Sequence, residues 1–164
     1  MIKLNRRTVL TVSTAALMTA PMRGLLADSH GGNVIEMLTK HPETKERNVF
    51  APRILSVNAG EAILFKAVEK GHNSASIDGM IPDGAEEWNG KIGRDIEVSF
   101  EQPGIYGFKC TPHAALGMVG LVVVQGEGMF DNLEAAQSVK QRGKAKKVFE
   151  EIWEQAAAEG LLSA

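Results

Sequence analysis

Between residues 34 and 124 short apolar runs alternate with turn residues, and no run keeps a helical period long enough to form a helix. Strands are expected at residues 34–39, 54–57, 62–67, 74–77, 96–100, 104–110 and 119–124, with Asn58-Ala59-Gly60 and Gln102-Pro103-Gly104 as turn punctuation. Ile96, Val98 and Phe100 alternate with Glu97, Ser99 and Glu101, the pattern of a strand that is wet on one face. Residues 119–124 are apolar on both faces, which places that strand in the middle of a sheet. The rhythm is that of an all-β sandwich or barrel.

After Gly128 the period changes. Asp131 with Glu134 three residues later has the form of a capping box, and Leu133, Ala136 and Val139 supply an apolar stripe, so a short helix is expected. Gly143 breaks it. Val148, Phe149, Ile152, Trp153 and Ala156 then repeat at helical spacing until Gly160, predicting a second, amphipathic helix. Such a stripe gains most of its stability from packing, so the pair of helices is expected against the flank of the sandwich rather than against a partner.

Composition changes the picture at the N-terminus. The first 27 residues hold Lys3, Arg6, Arg7 and Arg23 and no acid, with an uncharged, moderately apolar stretch from Thr8 to Ala20. That is the layout of an export signal, cleaved near Ala27, and it falls short of the roughly 20 apolar residues that cross a bilayer. Arg6-Arg7 points to the twin-arginine route, with the general secretory route as the alternative; both lead to the periplasm of a bacterium. The expected division is a signal at 1–27, a β-sandwich at 28–127 and a two-helix extension of the same domain at 128–164. Without the signal the chain carries about 14 basic and 20 acidic residues, which excludes non-specific nucleic-acid binding. No membrane association is expected of the mature chain, and it is expected to be a monomer.

A single cysteine, Cys110, cannot form an internal disulfide, and a bare thiol is a liability outside the cytoplasm. Its neighbourhood supplies a use for it. In Cys110-Thr111-Pro112-His113-Ala114-Ala115-Leu116-Gly117-Met118 a thiolate, an imidazole and a thioether share one loop between two strands. Soft sulfur suits Cu(I) and imidazole suits Cu(II), so two His, one Cys and a weak axial Met can hold one type 1 copper ion in both oxidation states. The missing imidazole is assigned to His72 in Gly71-His72-Asn73, with His30 and His41 left as surface residues. Zinc is the main rival, but its structural sites are closed tetrahedra of Cys and His, and Met is not among them. Lys109 and Thr111 flank the cysteine; neither is a histidine that could pass electrons to a second copper, so a carrier is expected and not an enzyme. A copper store or delivery protein would use the same residues and would differ in having exchangeable metal.

With these residues in hand the chain resembles the cupredoxins, and within them the pseudoazurins. The resemblance is carried by Val49-Phe50-Ala51-Pro52, Lys70-Gly71-His72-Asn73, Gly79-Met80-Ile81-Pro82-Asp83-Gly84-Ala85-Glu86, Pro103-Gly104-Ile105-Tyr106-Gly107, the segment from Lys109 to Met118, and the helical tail. It implies an eight-stranded Greek-key sandwich with two short C-terminal helices and copper at one end, bound by His72, Cys110, His113 and Met118. It also implies transient docking of a redox protein, such as a nitrite reductase, a cytochrome c or an amine-oxidising enzyme. The docking patch is expected around the His113 edge: Met80, Ile81, Pro82, Pro112 and Leu116, ringed by Lys40, Lys70, Lys91 and Lys109. The chain departs from the family at Ala114-Ala115-Leu116 and at Asn48, neighbours of the site that bear on reduction potential.

Overall fold

The computed structural model describes residues 32–163; the export signal expected at 1–27 and His30 lie outside the described residues. Eight strands and two helices follow in chain order: β1 (Val34–Lys40), β2 (Arg47–Ala51), β3 (Ile54–Asn58), β4 (Glu61–Ala67), β5 (Ala75–Ser76), β6 (Ile96–Phe100), β7 (Gly104–Lys109), β8 (Val119–Gln125), α1 (Leu133–Ser138) and α2 (Ala145–Ala158). Two four-stranded sheets form, in the orders β2-β1-β4-β6 and β3-β8-β7-β5. The β1/β4 and β3/β8 pairs are parallel, and the other pairs are antiparallel.

Periodicity alone misses β2. It is short, opens on Arg47 and Asn48, and Asn48 has a φ of 52°, so there is no two-residue alternation to read. Its place is set by pairing with β1, where Leu38 faces Val49. The strand expected at 74–77 contracts to two residues, because the segment spends its bonds on a neighbouring loop: Ser76 N–H donates to Trp88 O, and Ser74 O accepts from Gly90 N–H. The capping box does not form either. Asn132 is the N-cap of α1, without a side-chain capping bond, and its amide instead pairs with both backbone groups of Ile105 at 2.9 and 2.8 Å, tying the tail to β7.

Burial explains why β8 reads as apolar throughout. Val122 and Val124 face the space between the sheets, together with Ile35, Met37, Phe50, Ile63, Phe65, Phe100, Tyr106 and Phe108. Val119, Leu121 and Val123 face outward, where Ala136, Ala145, Phe149, Ile152 and Ala156 of the two helices cover them. The β3-β8-β7-β5 sheet is thus the middle layer of three, and β8 lies between β3 and β7 as its pattern requires. The inner layer is knit by edge-on aromatic pairs, Phe108 with Phe50 at 4.8 Å and with Phe65 at 5.1 Å between ring centroids.

Candidate metal centre

Alternation along β7 aims the cysteine. Tyr106 and Phe108 point into the core, and Cys110, the next residue in that row, is fully buried at the end of the sandwich. The chain then turns back on itself: His113 N–H donates to Cys110 O at 3.0 Å, a 3-10 turn spans Ala114–Leu116, and Cys110 N–H donates to Met118 O at 3.0 Å. The loop is closed between its first and last residues, so Cys110 and Met118 enter the same core side by side. His72 comes from the segment between β4 and β5 and is 1% exposed, whereas His113 is half-buried.

The three donors converge. Cys110 Sγ lies 3.8 Å from His72 Nδ1 and 3.5 Å from His113 Nδ1, and the two nitrogens are 3.1 Å apart. A point in their plane lies about 2.0 Å from all three, the length of a metal–imidazole bond. Burial pushes the Cys110 thiol above its ordinary value, and burial followed by the neighbouring His113 pushes the His72 imidazole down. Burial alone therefore opposes both a thiolate and an imidazolium here, and two imidazole nitrogens with a sulfur turned on one point suit a cation. Two nitrogens, one buried thiol and a buried thioether residue at the loop's end suit copper in chemistry as well as in size.

Asn73, beside His72 in sequence, braces the two ligand-bearing segments. Its Oδ1 accepts from Thr111 N–H at 2.8 Å, and its Nδ2 donates to Thr111 Oγ1 and to Gly90 O, each at 3.0 Å. On the other side of the ring, His72 Nε2 contacts Thr39 Oγ1 at 3.0 Å. Neither Asn73 nor Thr39 stands out as a functional residue in the sequence. His41 is not part of the centre; its Nδ1 accepts from the N–H groups of Glu43 and Thr44 in a surface turn.

The expected docking patch is partly corrected. Met80 is 1% exposed and packs under Gly107, so it cannot meet a partner. Pro82 lies against Gly104, at the opposite end of β7 from Cys110, and Ile81 packs on the inner core. Pro112 is exposed on the ligand loop, as is Leu116 at 52%. Two apolar residues that the sequence reading passes over are also exposed, Val68 just after β4 and Ile92 in the loop whose Gly93 N–H donates to His72 O. Lys40, Lys70 and Lys91 are exposed and Lys109 half-buried, each on a segment that borders the centre. Lys144 joins them from the tail, its N–H donating to Ala115 O of the ligand loop at 2.9 Å.

Comparison with known proteins agrees with this arrangement. Residues 36–125 match the family of copper binding proteins described as plastocyanin/azurin. The chain is 36% identical to the pseudoazurin of Methylorubrum extorquens over 149 residues, covering 91% of this chain and 96% of that protein. Its fold is similar to a pseudoazurin structure from Methylobacterium extorquens (TM-score 0.69, 40% identity, 75% of this chain and 97% of that one). It is likewise similar to one from Hyphomicrobium denitrificans (TM-score 0.69, 30% identity, 75% and 96%). With a copper-suited donor set at the end of an eight-stranded sandwich and a pseudoazurin relative that aligns along 91% of it, the chain belongs to the pseudoazurins, within the plastocyanin/azurin family of copper binding proteins.

Proposed function

We propose that the protein is a type 1 blue copper electron carrier of the bacterial periplasm, holding one copper ion through His72, Cys110, His113 and Met118. The observation that carries this reading is the triangle of Cys110 Sγ and the two histidine Nδ1 atoms, sized for one small metal ion. Copper, when bound, supplies a one-electron couple with an intense thiolate-to-metal absorption. The chain's residues hold its surroundings still: Asn73 fixes one segment to the other, the closed Cys110–Met118 loop fixes three of the four donors, and the core excludes water from the thiol. His113 is the one half-buried member of the buried triad, so its ring edge is the short path between the centre and a partner.

Pro112, Leu116, Val68 and Ile92 form the apolar part of the docking face, ringed by Lys40, Lys70, Lys91, Lys109 and Lys144. A small apolar patch within a cationic ring suits brief encounters with an acidic redox protein, where charge raises the rate more than the affinity. A nitrite reductase, a cytochrome c or an amine-oxidising enzyme fits that description. Residues 1–27 act as the export signal, residues 28–127 as the copper-binding sandwich and 128–164 as its helical cover, and the mature chain works as a monomer.

Copper-loaded protein is expected to be blue, to bleach on reduction and to recover its colour over repeated cycles without losing metal. Cys110→Ser is expected to abolish the band near the red end of the visible range. Colour that survives that substitution would remove the assignment, and copper lost at each reduction would favour a storage or delivery protein.

A further inference from the structure

The ligand loop is tied down at its two ends, and its middle leans on the tail. Near Cys110 the loop is bonded to Asn73, and Cys110 N–H closes it onto Met118 O. Between them the 3-10 turn Ala114–Leu116 starts from His113, which makes no side-chain capping bond, and the turn has no buried residue to anchor it. A turn of this kind is short and its hydrogen bonds are poorly aligned, so it gains from outside support. Three residues of the tail supply that support. Lys144, the N-cap of α2, donates its backbone N–H to Ala115 O at 2.9 Å, which satisfies a donor at the open end of the helix and a carbonyl of the turn together. Gly143 lets the two backbones approach, since its φ is 60° and a Cβ there would press into Ala115 O. Val148 faces Gly117, where an added Cβ would lie 3.0 Å from the Val148 Cγ2 methyl and 3.5 Å from Lys144 Cβ. The helix behind these contacts is itself anchored: Phe149 and Ile152 pack with Val119, Leu121 and Val123 of β8, the strand that begins one residue after Met118.

We infer that Gly143, Lys144 and Val148 are positioning residues of the metal centre, bracing the arc from His113 to Met118 from outside and so keeping two of its donors in place. None of the three touches the triangle of donors. The inference rests on this loop being the metal's, as proposed above, but the brace is a property of the protein chain and can be measured without copper. A metal held by His113 and Met118 leaves by opening of the arc, and each contact taken from the closed arc eases that opening by its own worth. One hydrogen bond corresponds to roughly 2- to 10-fold in such an equilibrium. The tail thus adds no donor; it sets how long the donors stay together.

The test is amide hydrogen exchange of the metal-free chain, followed by the rate at which a chelator strips copper from the loaded one. Lys144→Pro removes the N–H, and the φ of −70° at that residue suits a proline ring. Lys144→Ala keeps the N–H and loses the same charge, so the pair isolates the bond. The amides of Leu116, Gly117 and Met118, which donate within the arc, are expected to exchange roughly 2- to 10-fold faster in Lys144→Pro than in Lys144→Ala. The amides of Ile63 and Phe65 in β4 of the other sheet are expected to match between the two, and copper to leave the proline variant faster by a similar factor. Val148→Ala raises helix propensity while deleting the methyls over Gly117, so it is expected to speed the same loop amides and copper loss relative to wild type even where Lys144→Pro folds poorly. Loop exchange or copper loss that stays the same in both comparisons, or a change spread equally over the loop and β4, overturns the brace. Faster loop exchange in a chain that binds no copper leaves the brace standing and sinks the metal reading; blue protein with unaltered loop exchange does the reverse.

Discussion

The hydroxyl of Tyr106 donates to the carbonyl of Gln102 at 2.8 Å, in surroundings that leave the residue 3% exposed. Burial there pushes the phenol up to about 12, from an ordinary value near 10. The unfolded chain releases this proton near pH 10 while the folded chain keeps it to about 12, so the stability Tyr106 contributes is complete below pH 10 and is lost as pH rises across that window. Tyr106→Phe is expected to be about 1 kcal/mol less stable at pH 7, where the hydrogen bond is missing. By pH 12 the gap should close or invert, because phenylalanine does not titrate; denaturant unfolding of both proteins at the two pH values checks this. At this scale the sequence reveals the residues whose chemistry is unusual. Cys110, His113 and Met118 declare themselves by local spacing, and His72 follows as a second imidazole. Asn73 and Thr39 stay silent, because their side chains are common types and their partners lie 38 and 33 residues away in the chain.

Among the elements, the tail and the ligand loop meet in a close backbone contact. Gly143 has a φ of 60°, and a Cβ on it would press against Ala115 O, the carbonyl that accepts from Lys144 N–H. Gly143→Ala is therefore expected to lower stability by roughly 1–3 kcal/mol, from the left-handed backbone and the contact together. It should also shift the NMR resonances of residues 113–117, while a substitution at the exposed Gly60, where a Cβ meets nothing, leaves them in place. The helical stripe of α2 is legible because Phe149, Ile152 and Ala156 recur at its period, and these, with Ala145, are the residues it buries. Which surface the stripe covers is not legible. That depends on the outward row of β8, and a strand buried on both faces carries no mark of which side meets a sheet and which meets a helix. The edge strand β2 is hidden for a related reason: its register comes from β1, not from its own alternation.

Across the whole molecule charge is unevenly spread. Lys40, Lys70, Lys91, Lys109 and Lys144 gather on the segments around the centre, while Asp83, Glu127 and Asp131 line a groove with Gln102 and Pro103 at the other end of β7. A protein with net negative charge can thus present a positive end and turn it toward an acidic partner before contact. Electron-transfer rates to such a partner are expected to fall as ionic strength rises from 10 to 150 mM, roughly the range over which screening lengths shrink from 30 to 8 Å. Lys144→Glu should slow transfer at low salt and change little at high salt; stopped-flow kinetics decides it, and rates indifferent to salt would remove steering. The fold class was legible at this scale from strand rhythm, but the polarity was not, since it depends on which turns the topology collects at each end. The three-layer build has a final consequence. A chain cut after β8 would retain every residue assigned to the metal, yet it would leave Ile54, Ile105, Val119, Leu121 and Val123 as one bare greasy plate. Colour and solubility are thus written in separate stretches of the same polypeptide.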